Sequence, residues 1–277
     1  MELWLLNGFD TAALTLVVVG GIVLLAVAGA LLTRHRFPQT VQGEHNEMVG
    51  VVLGMFGAIY GIILAFVIVT LWTQLDSTNT IVASESTAAA SLVRNVRALP
   101  PQEQEKVNAA MSGYLHAVVD VQWPLMREGE PNYESTARSL DAVYDALQSY
   151  EPQTETQQTF YELAAANLNE VVAQRRARIT MATQQLPLLL QVLVFGGALV
   201  IIPLTFLYGV RSRRMQLLFV GTVAALVGFS LLLTLVLDRP FSGELSVSPA
   251  PYKEGALAQF WYGPSGPGPG PGSAVAR

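Results

Sequence analysis

Four long runs of the chain contain no charged residue and no histidine. They cover about Thr11 to Thr33, Met48 to Trp72, Leu186 to Tyr208 and Met215 to Leu237. A helix needs roughly 20 residues to cross the hydrocarbon layer of a bilayer. Because a charged side chain costs about 2.5 to 3.5 kcal/mol at the centre of such a helix, four charge-free runs predict four transmembrane helices.

Residues 73–185, between the second and third runs, are polar and have a helical pattern. Apolar or small residues recur there every three or four positions, and prolines and glycines separate the segments. We expect helices over about 75–99, continuing the second span, over 101–123 and 132–150, and from Gln153 onward, the last running on into the third span. The predicted fold class is all-α: a four-span transmembrane helical bundle with a helical extramembrane bundle inserted between spans two and three.

The same pattern divides the chain into six parts. They are a first span with a short loop (1–47), the second span (48–72), a helical extramembrane domain (73–185), the third and fourth spans (186–237), a membrane-face segment (238–262) and a Gly/Pro tail (263–277). Pro240 and Gly243 end the helix of the fourth span and turn the chain back along the membrane face. The tail has too few apolar residues to offset ordering, which predicts disorder.

The composition excludes several classes of function. Hydrophobic residues make up 51% of the 277 residues and charged residues 13%, against about 25% charged in soluble domains. The net charge of -5 argues against nucleic acid as a partner. The chain has no cysteine, its three histidines lack metal-ligand spacing, and no nucleophile elbow, phosphate loop or dinucleotide fingerprint occurs. We therefore expect neither an enzyme nor a cofactor.

Arginines indicate the direction of insertion. Five lie in the two short loops: Arg34, Arg36, Arg211, Arg213 and Arg214. Four lie near span ends on the other side: Arg175, Arg176, Arg178 and Arg239. By the positive-inside rule, both short loops face the cytoplasm of a multi-pass cell-membrane protein, and the helical domain lies outside it.

The second span has two different faces. Four glycines fall within about 60° of one another on a helical wheel: Gly50, Gly54, Gly57 and Gly61. Such a glycine face lets helices approach closely, so we interpret these residues as helix-packing positions. The opposite face carries bulky side chains, including Met55, Ile59 and Ile63. That face contacts either lipid or the axis of a ring of copies, where it forms an apolar constriction.

Glu85 lies in the otherwise apolar or small stripe that contains Ile81, Ala88 and Leu92. A carboxylate on the packed side of a bundle needs a cation, and the antiparallel fourth helix offers two: Arg175 and Arg178. We interpret Glu85 together with Arg175 or Arg178 as a clasp within the bundle. The alternative is a switch, or an ion site at the mouth of a pore.

Several segments resemble the bestrophins. Residues 64–72 (LAFVIVTLW) are similar to the end of the second bestrophin span, and residues 72–88 and 237–244 (LDRPFSGE) resemble the bacterial bestrophin-like family. The resemblance covers about residues 40–255. It implies a homo-oligomer that passes ions, with anions preferred, and a cytoplasmic helical domain, opposite to the orientation that the arginines indicate.

The resemblance also places the bestrophin neck on Met55, Ile59 and Ile63, the residues opposite the glycines. This chain departs from bestrophins at Leu71, where they have a basic residue, and lacks an acidic cluster that matches their calcium site. The function that follows is an oligomeric ion channel whose partners are the lipid bilayer, further copies of the chain and small ions. The alternative is a membrane-anchored sensor or scaffold whose acidic helical domain binds a partner.

Overall fold

The computed structural model describes residue 8 and residues 10–37, 46–210 and 212–263, and these residues form helices and no strands. The predicted disordered tail, apart from Gly263, and most of the loop after the first span lie outside the described residues. The helices are α1 (Thr11–Arg36), α2 (Asn46–Asn95), α3 (Pro101–His116), α4 (Trp123–Arg127), α5 (Glu134–Gln148), α6 (Glu155–Thr183), α7 (Leu188–Phe206), α8 (Arg213–Leu237) and α9 (Gln259–Tyr262). A π-helical segment, Ala117–Gln122, joins α3 to α4.

Four helical stretches of the described chain are long and apolar enough to cross a membrane, with hydropathies between 2.4 and 2.7 in their most apolar windows. They cover nearly all of the four charge-free runs, so the all-helical fold with four candidate spans is confirmed. The expected continuation of the second span is also present, because α2 is a single helix of 50 residues. No proline or glycine interrupts α2 after Gly61.

The third span differs from the expectation, because it is not continuous with the helix before it. The helix α6 ends at Thr183 and α7 begins at Leu188. Pro187 has no N–H group and disfavours a helical conformation at Leu186. The Leu186 N–H instead donates to the Asp238 carboxylate at 2.6 Å.

Contacts divide the chain into two compact units. The first contains Met1–Gln74, Gln185–Arg239 and Gly243–Leu245. Within it, α1 packs against α8 through small residues, among them the buried Ala26 and Ala224. A Cβ atom at Gly228 would lie 3.4 Å from the Val19 Cα atom. The two helices are therefore close at this point, as expected where small residues mediate packing in a membrane.

The second unit contains Leu75–Gln184, Pro240–Ser242 and Ser246–Arg277. Its core contains Leu92, Met111, Leu115, Leu168 and Val171, from α2, α3 and α6. The segment that follows α8, predicted to lie at the membrane face, adds large side chains to this core: Phe241, Tyr252 and Leu257. The ring of Trp123 meets the rings of Phe241 and Tyr252 edge-on, at centroid distances of 5.4 and 5.9 Å.

We predict that Gly228→Leu destabilises the protein by about 1–3 kcal/mol, because the larger side chain overpacks the contact with α1. Gly221→Leu in the same helix is the matched control, since a Cβ there meets no atom within 4 Å. Thermal unfolding of the purified protein in detergent checks both variants. Equal losses of stability at the two positions would contradict the packing described for α1 and α8.

Candidate functional site: the outer face of the second helix

The part of α2 that lies in the first unit, up to Gln74, is attached to that unit along one side. Tyr60, Leu64, Val67 and Leu71 are buried on that side. The Tyr60 hydroxyl donates to the Val194 carbonyl of α7 at 2.7 Å. At the start of the helix, the Asn46 amide donates to the Gly209 carbonyl and accepts from the Gly209 N–H, both at 2.7 Å. These contacts fix which residues of α2 point away from the unit.

The residues that point away form an exposed apolar row. The side chains in it are bulky and 58–71% exposed: Met55, Ile59, Ile62 and Phe66. They lie within about 60° of one another around the helix. Ile63, the third residue assigned from the sequence to the constriction, is half-buried. Ile62, one position earlier, belongs to the row and was not singled out from the sequence.

The glycine face of α2 borders a cavity instead of a closely packed helix. The cavity has a volume of about 850 Å³ and is lined by residues of α2, α7 and α8. A Cβ atom at Gly54 or Gly61 would meet nothing within 4 Å, whereas one at Gly57 would lie 3.7 Å from Ile201 and one at Gly50 would lie 3.6 Å from Tyr208. Within the described chain, two of the four predicted packing glycines therefore have no packing neighbour.

The close approaches between helices occur at other glycines, which the sequence did not single out. A Cβ atom at Gly197 would lie 2.3 Å from the Tyr60 ring, and one at Gly29 would lie 2.7 Å from the Phe206 ring. A larger residue at either position would force the facing aromatic ring to shift. The sequence signal for a packing glycine was a regular spacing of glycines along a helix, and neither Gly197 nor Gly29 belongs to such a series.

A buried ion pair lies in the second unit. The Arg178 Nε atom donates to one Glu85 carboxylate oxygen at 2.7 Å, and the Arg178 NH2 group donates to the other at 3.1 Å. Both side chains are fully buried. The Tyr114 hydroxyl also donates to Glu85, at 2.7 Å. The carboxylate therefore accepts three hydrogen bonds from two helices, α3 and α6, and connects them to α2.

The model of one protein family covers most of the chain: the Bestrophin-like domain matches residues 20–252. The chain belongs to the Bestrophin-like family. The family resemblance inferred from residues 64–72 and 237–244 is thus confirmed. No curated protein matches the chain.

Solved structures support the same fold for this bestrophin-like protein. A bacterial bestrophin homologue from Klebsiella pneumoniae that carries one substitution has a TM-score of 0.65 and 14% identity, over 87% of this chain and 97% of that chain. Another from Klebsiella pneumoniae has a TM-score of 0.63 and 15% identity, over 83% and 90%. A variant of a protein described only as a membrane protein has a TM-score of 0.62 and 14% identity, over 87% and 95%. At these identities the likeness shows the fold alone.

Arg175, the other arginine assigned to the clasp, has different partners in this bestrophin-like protein. Its Nε atom donates to the Thr136 hydroxyl at 2.8 Å, and its NH2 group donates to the Tyr133 carbonyl. The guanidinium carbon lies 5.4 Å from the centre of the Tyr133 ring. Arg175 thus holds α6 to the start of α5, whereas Arg178 holds α6 to Glu85.

The surroundings of Arg178 keep its guanidinium charged. Burial alone disfavours the charged form, but the adjacent Glu85 carboxylate holds the pKa of Arg178 above its ordinary value. Burial, and then the Glu85 charge, raise the pKa of the Tyr114 hydroxyl well above its ordinary range. Arg178 therefore stays positive and Tyr114 stays a donor at neutral pH, as a permanent clasp requires.

Metal coordination is a separate question. Among the described residues, no group of three or more His, Asp or Glu side chains is placed to hold a metal ion. The outer face of α2, formed by the exposed apolar row, offers an apolar surface that can contact lipid, pack against another protein surface or line a pore.

We predict that Glu85→Gln lowers the free energy of unfolding by about 3–5 kcal/mol, because it leaves the buried Arg178 without its counter-charge. Glu103→Gln is the matched control, since Glu103 pairs with the half-exposed Lys106 at 2.8 Å. An exposed pair of that kind contributes about 0.2–1 kcal/mol. Denaturant unfolding of the full chain measures both, and an equal effect of the two substitutions would contradict the clasp.

Proposed function

We propose that this bestrophin-like protein is an oligomeric ion channel of the cell membrane. In this proposal the four candidate spans cross the bilayer, and the helical unit between the second and third spans lies outside the hydrocarbon. Four or more copies surround a common axis, and the outer face of α2 turns toward that axis. The partners are the bilayer, further copies of the chain and small ions.

The observation that carries the proposal is the exposed apolar row on α2. Two of its members, Met55 and Ile59, are also positions of the bestrophin neck by resemblance, and they are 61% and 59% exposed. Because this part of α2 is held to the first unit along one side, these residues are available to contact a neighbouring copy or to line a lumen. The half-buried Ile63 then belongs to the edge of the constriction.

The proposed mechanism is gating by dewetting. Rings of Met55 and Ile59 side chains, one helical turn apart, form a narrow apolar section of the pore. Water leaves such a section readily, and an ion that enters it loses its hydration shell, so a small change in width changes conduction strongly. Passage of this kind needs no charged residue within the span and no catalytic group. The preference for anions rests on the resemblance to bestrophins.

We predict that Met55→Ala and Ile59→Ala each raise ion flux through the purified protein in liposomes. A wider section holds water more readily, and a barrier lower by about 1.4 kcal/mol corresponds to a roughly tenfold faster flux. Leu24→Ala on α1 is the matched control, because Leu24 is a similarly exposed apolar residue, 70% exposed, on another span. Its flux should equal that of the unsubstituted protein.

The assay uses chloride and potassium gradients in parallel, so that it also reports selectivity. If neither the unsubstituted protein nor the two widened variants pass either ion, the channel proposal is wrong. If Leu24→Ala raises flux as much as Ile59→Ala, the constriction is not on α2. A monomer or dimer in the membrane would favour the anchored scaffold instead.

A further inference from the structure

Tyr60 is the single polar side chain in the apolar part of α2. Between Met48 and Val69 no other residue carries a nitrogen or oxygen atom in its side chain. A hydroxyl group in hydrocarbon needs a hydrogen-bond partner. Tyr60 has one within its own unit, the Val194 carbonyl at 2.7 Å, and only 6% of the residue is exposed.

Gly197 provides the space for the Tyr60 ring. A Cβ atom at Gly197 would lie closer to two ring carbons of Tyr60 than non-bonded Cβ contacts come in real proteins, so the ring would have to shift. The neighbouring Gly196 has no such contact, because a Cβ there meets nothing within 4 Å. The ring of Tyr60 therefore lies directly on the backbone of α7, one helical turn from the carbonyl that binds its hydroxyl.

The cavity side of α2 has little to oppose rotation near this contact. A Cβ atom added at Gly54 or Gly61 would meet nothing within 4 Å, and one added at Gly57 would lie at an ordinary van der Waals distance, 3.7 Å, from the Ile201 side chain. The buried leucines and valines of α2 stabilise its packing but do not fix its rotation, because the hydrophobic effect is not directional. A hydrogen bond combined with a ring seated on a glycine is directional.

We propose that the contact of Tyr60 with Gly197 and Val194 sets the rotation of the part of α2 that lies in the first unit, beyond its start at Asn46, and so decides which residues of that part form the outer face. Side chains follow one another at 100° around a helix. With Tyr60 directed at α7, the members of the exposed apolar row lie about 100° to 160° away from it. Tyr60 and Gly197 are thus positioning residues for the constriction, and in that respect the inference rests on the proposed function.

The test uses single cysteines as reporters of rotation, which is possible because the chain has no cysteine of its own. One reporter is Ile59→Cys on the outer face, and the other is Val67→Cys on the attached face, where 4% of the residue is exposed. Each is combined with Gly197→Ala, with Tyr60→Phe and with the control Gly196→Ala. The measured quantity is the rate of reaction with N-ethylmaleimide in detergent, expressed as the ratio of the Ile59→Cys rate to the Val67→Cys rate.

We expect Gly197→Ala to lower that ratio by about threefold or more, because α2 turns away from the added methyl group and the reporters exchange exposure. Tyr60→Phe keeps the ring, loses the hydroxyl and should lower the ratio less. Gly196→Ala should leave the ratio unchanged. Circular dichroism checks that each variant is folded. If Gly197→Ala does not fold, the ratio measured for Tyr60→Phe tests the inference instead.

A contact with a merely structural role would lower the melting temperature in Gly197→Ala or Tyr60→Phe and leave the ratio unchanged, which would overturn the inference. Ion flux is measured in liposomes on the unsubstituted protein and on the same Gly197 and Tyr60 variants made without the reporter cysteines. If the ratio shifts and the unsubstituted protein passes no ion, the positioning contact stands and the channel proposal fails. If the protein conducts and the ratio does not shift, the channel proposal stands and the contact does not set the rotation.

Discussion

Attachment along a single side is the constraint that decides what α2 presents to its surroundings. The helix is bonded to α7 through Tyr60 and to Gly209 through Asn46, and its glycine face borders a cavity. The described residues of the first unit leave the bulky residues on the far side exposed. An apolar row of that size, on a helix in hydrocarbon, meets lipid, another copy of the chain or the lumen of a pore.

Desolvation has opposite consequences in the two units. The candidate spans of the first unit have no charged residues, because a charge in hydrocarbon has no water to solvate it. The second unit does bury two charges, those of Glu85 and Arg178, and each is the counter-charge of the other. Tyr114 donates a further hydrogen bond to the carboxylate. A pair of this kind costs more to break at one partner than it contributes over an apolar core.

The sequence predicted the elements of the fold well and their partners less well. Charge-free runs and three-to-four-residue periodicity depend on local composition, so they located the spans and the packed position of Glu85. They could not choose between Arg175 and Arg178, because the two lie only about 4.5 Å apart along one helix. Which one reaches Glu85 depends on how α6 packs against α2 and α3, and this is tertiary information.

Glycines illustrate the same limit. The regular spacing of Gly50 to Gly61 marked a smooth face, yet Gly54 and Gly61 line a cavity. The tight contact is at Gly197, whose importance depends on a tyrosine 137 positions earlier in the sequence. Likewise, the burial of Phe241 and Tyr252 in the helical core depends on a return of the chain that local periodicity does not encode.

The central claim is that the outer face of α2 surrounds an axis shared by several copies. An electron cryomicroscopy reconstruction of the purified protein in lipid nanodiscs tests it most directly. The account predicts a ring of at least four copies in which the side chains of Met55 and Ile59 point into a central lumen. A monomer or dimer, or a ring in which those side chains contact acyl chains, would contradict it.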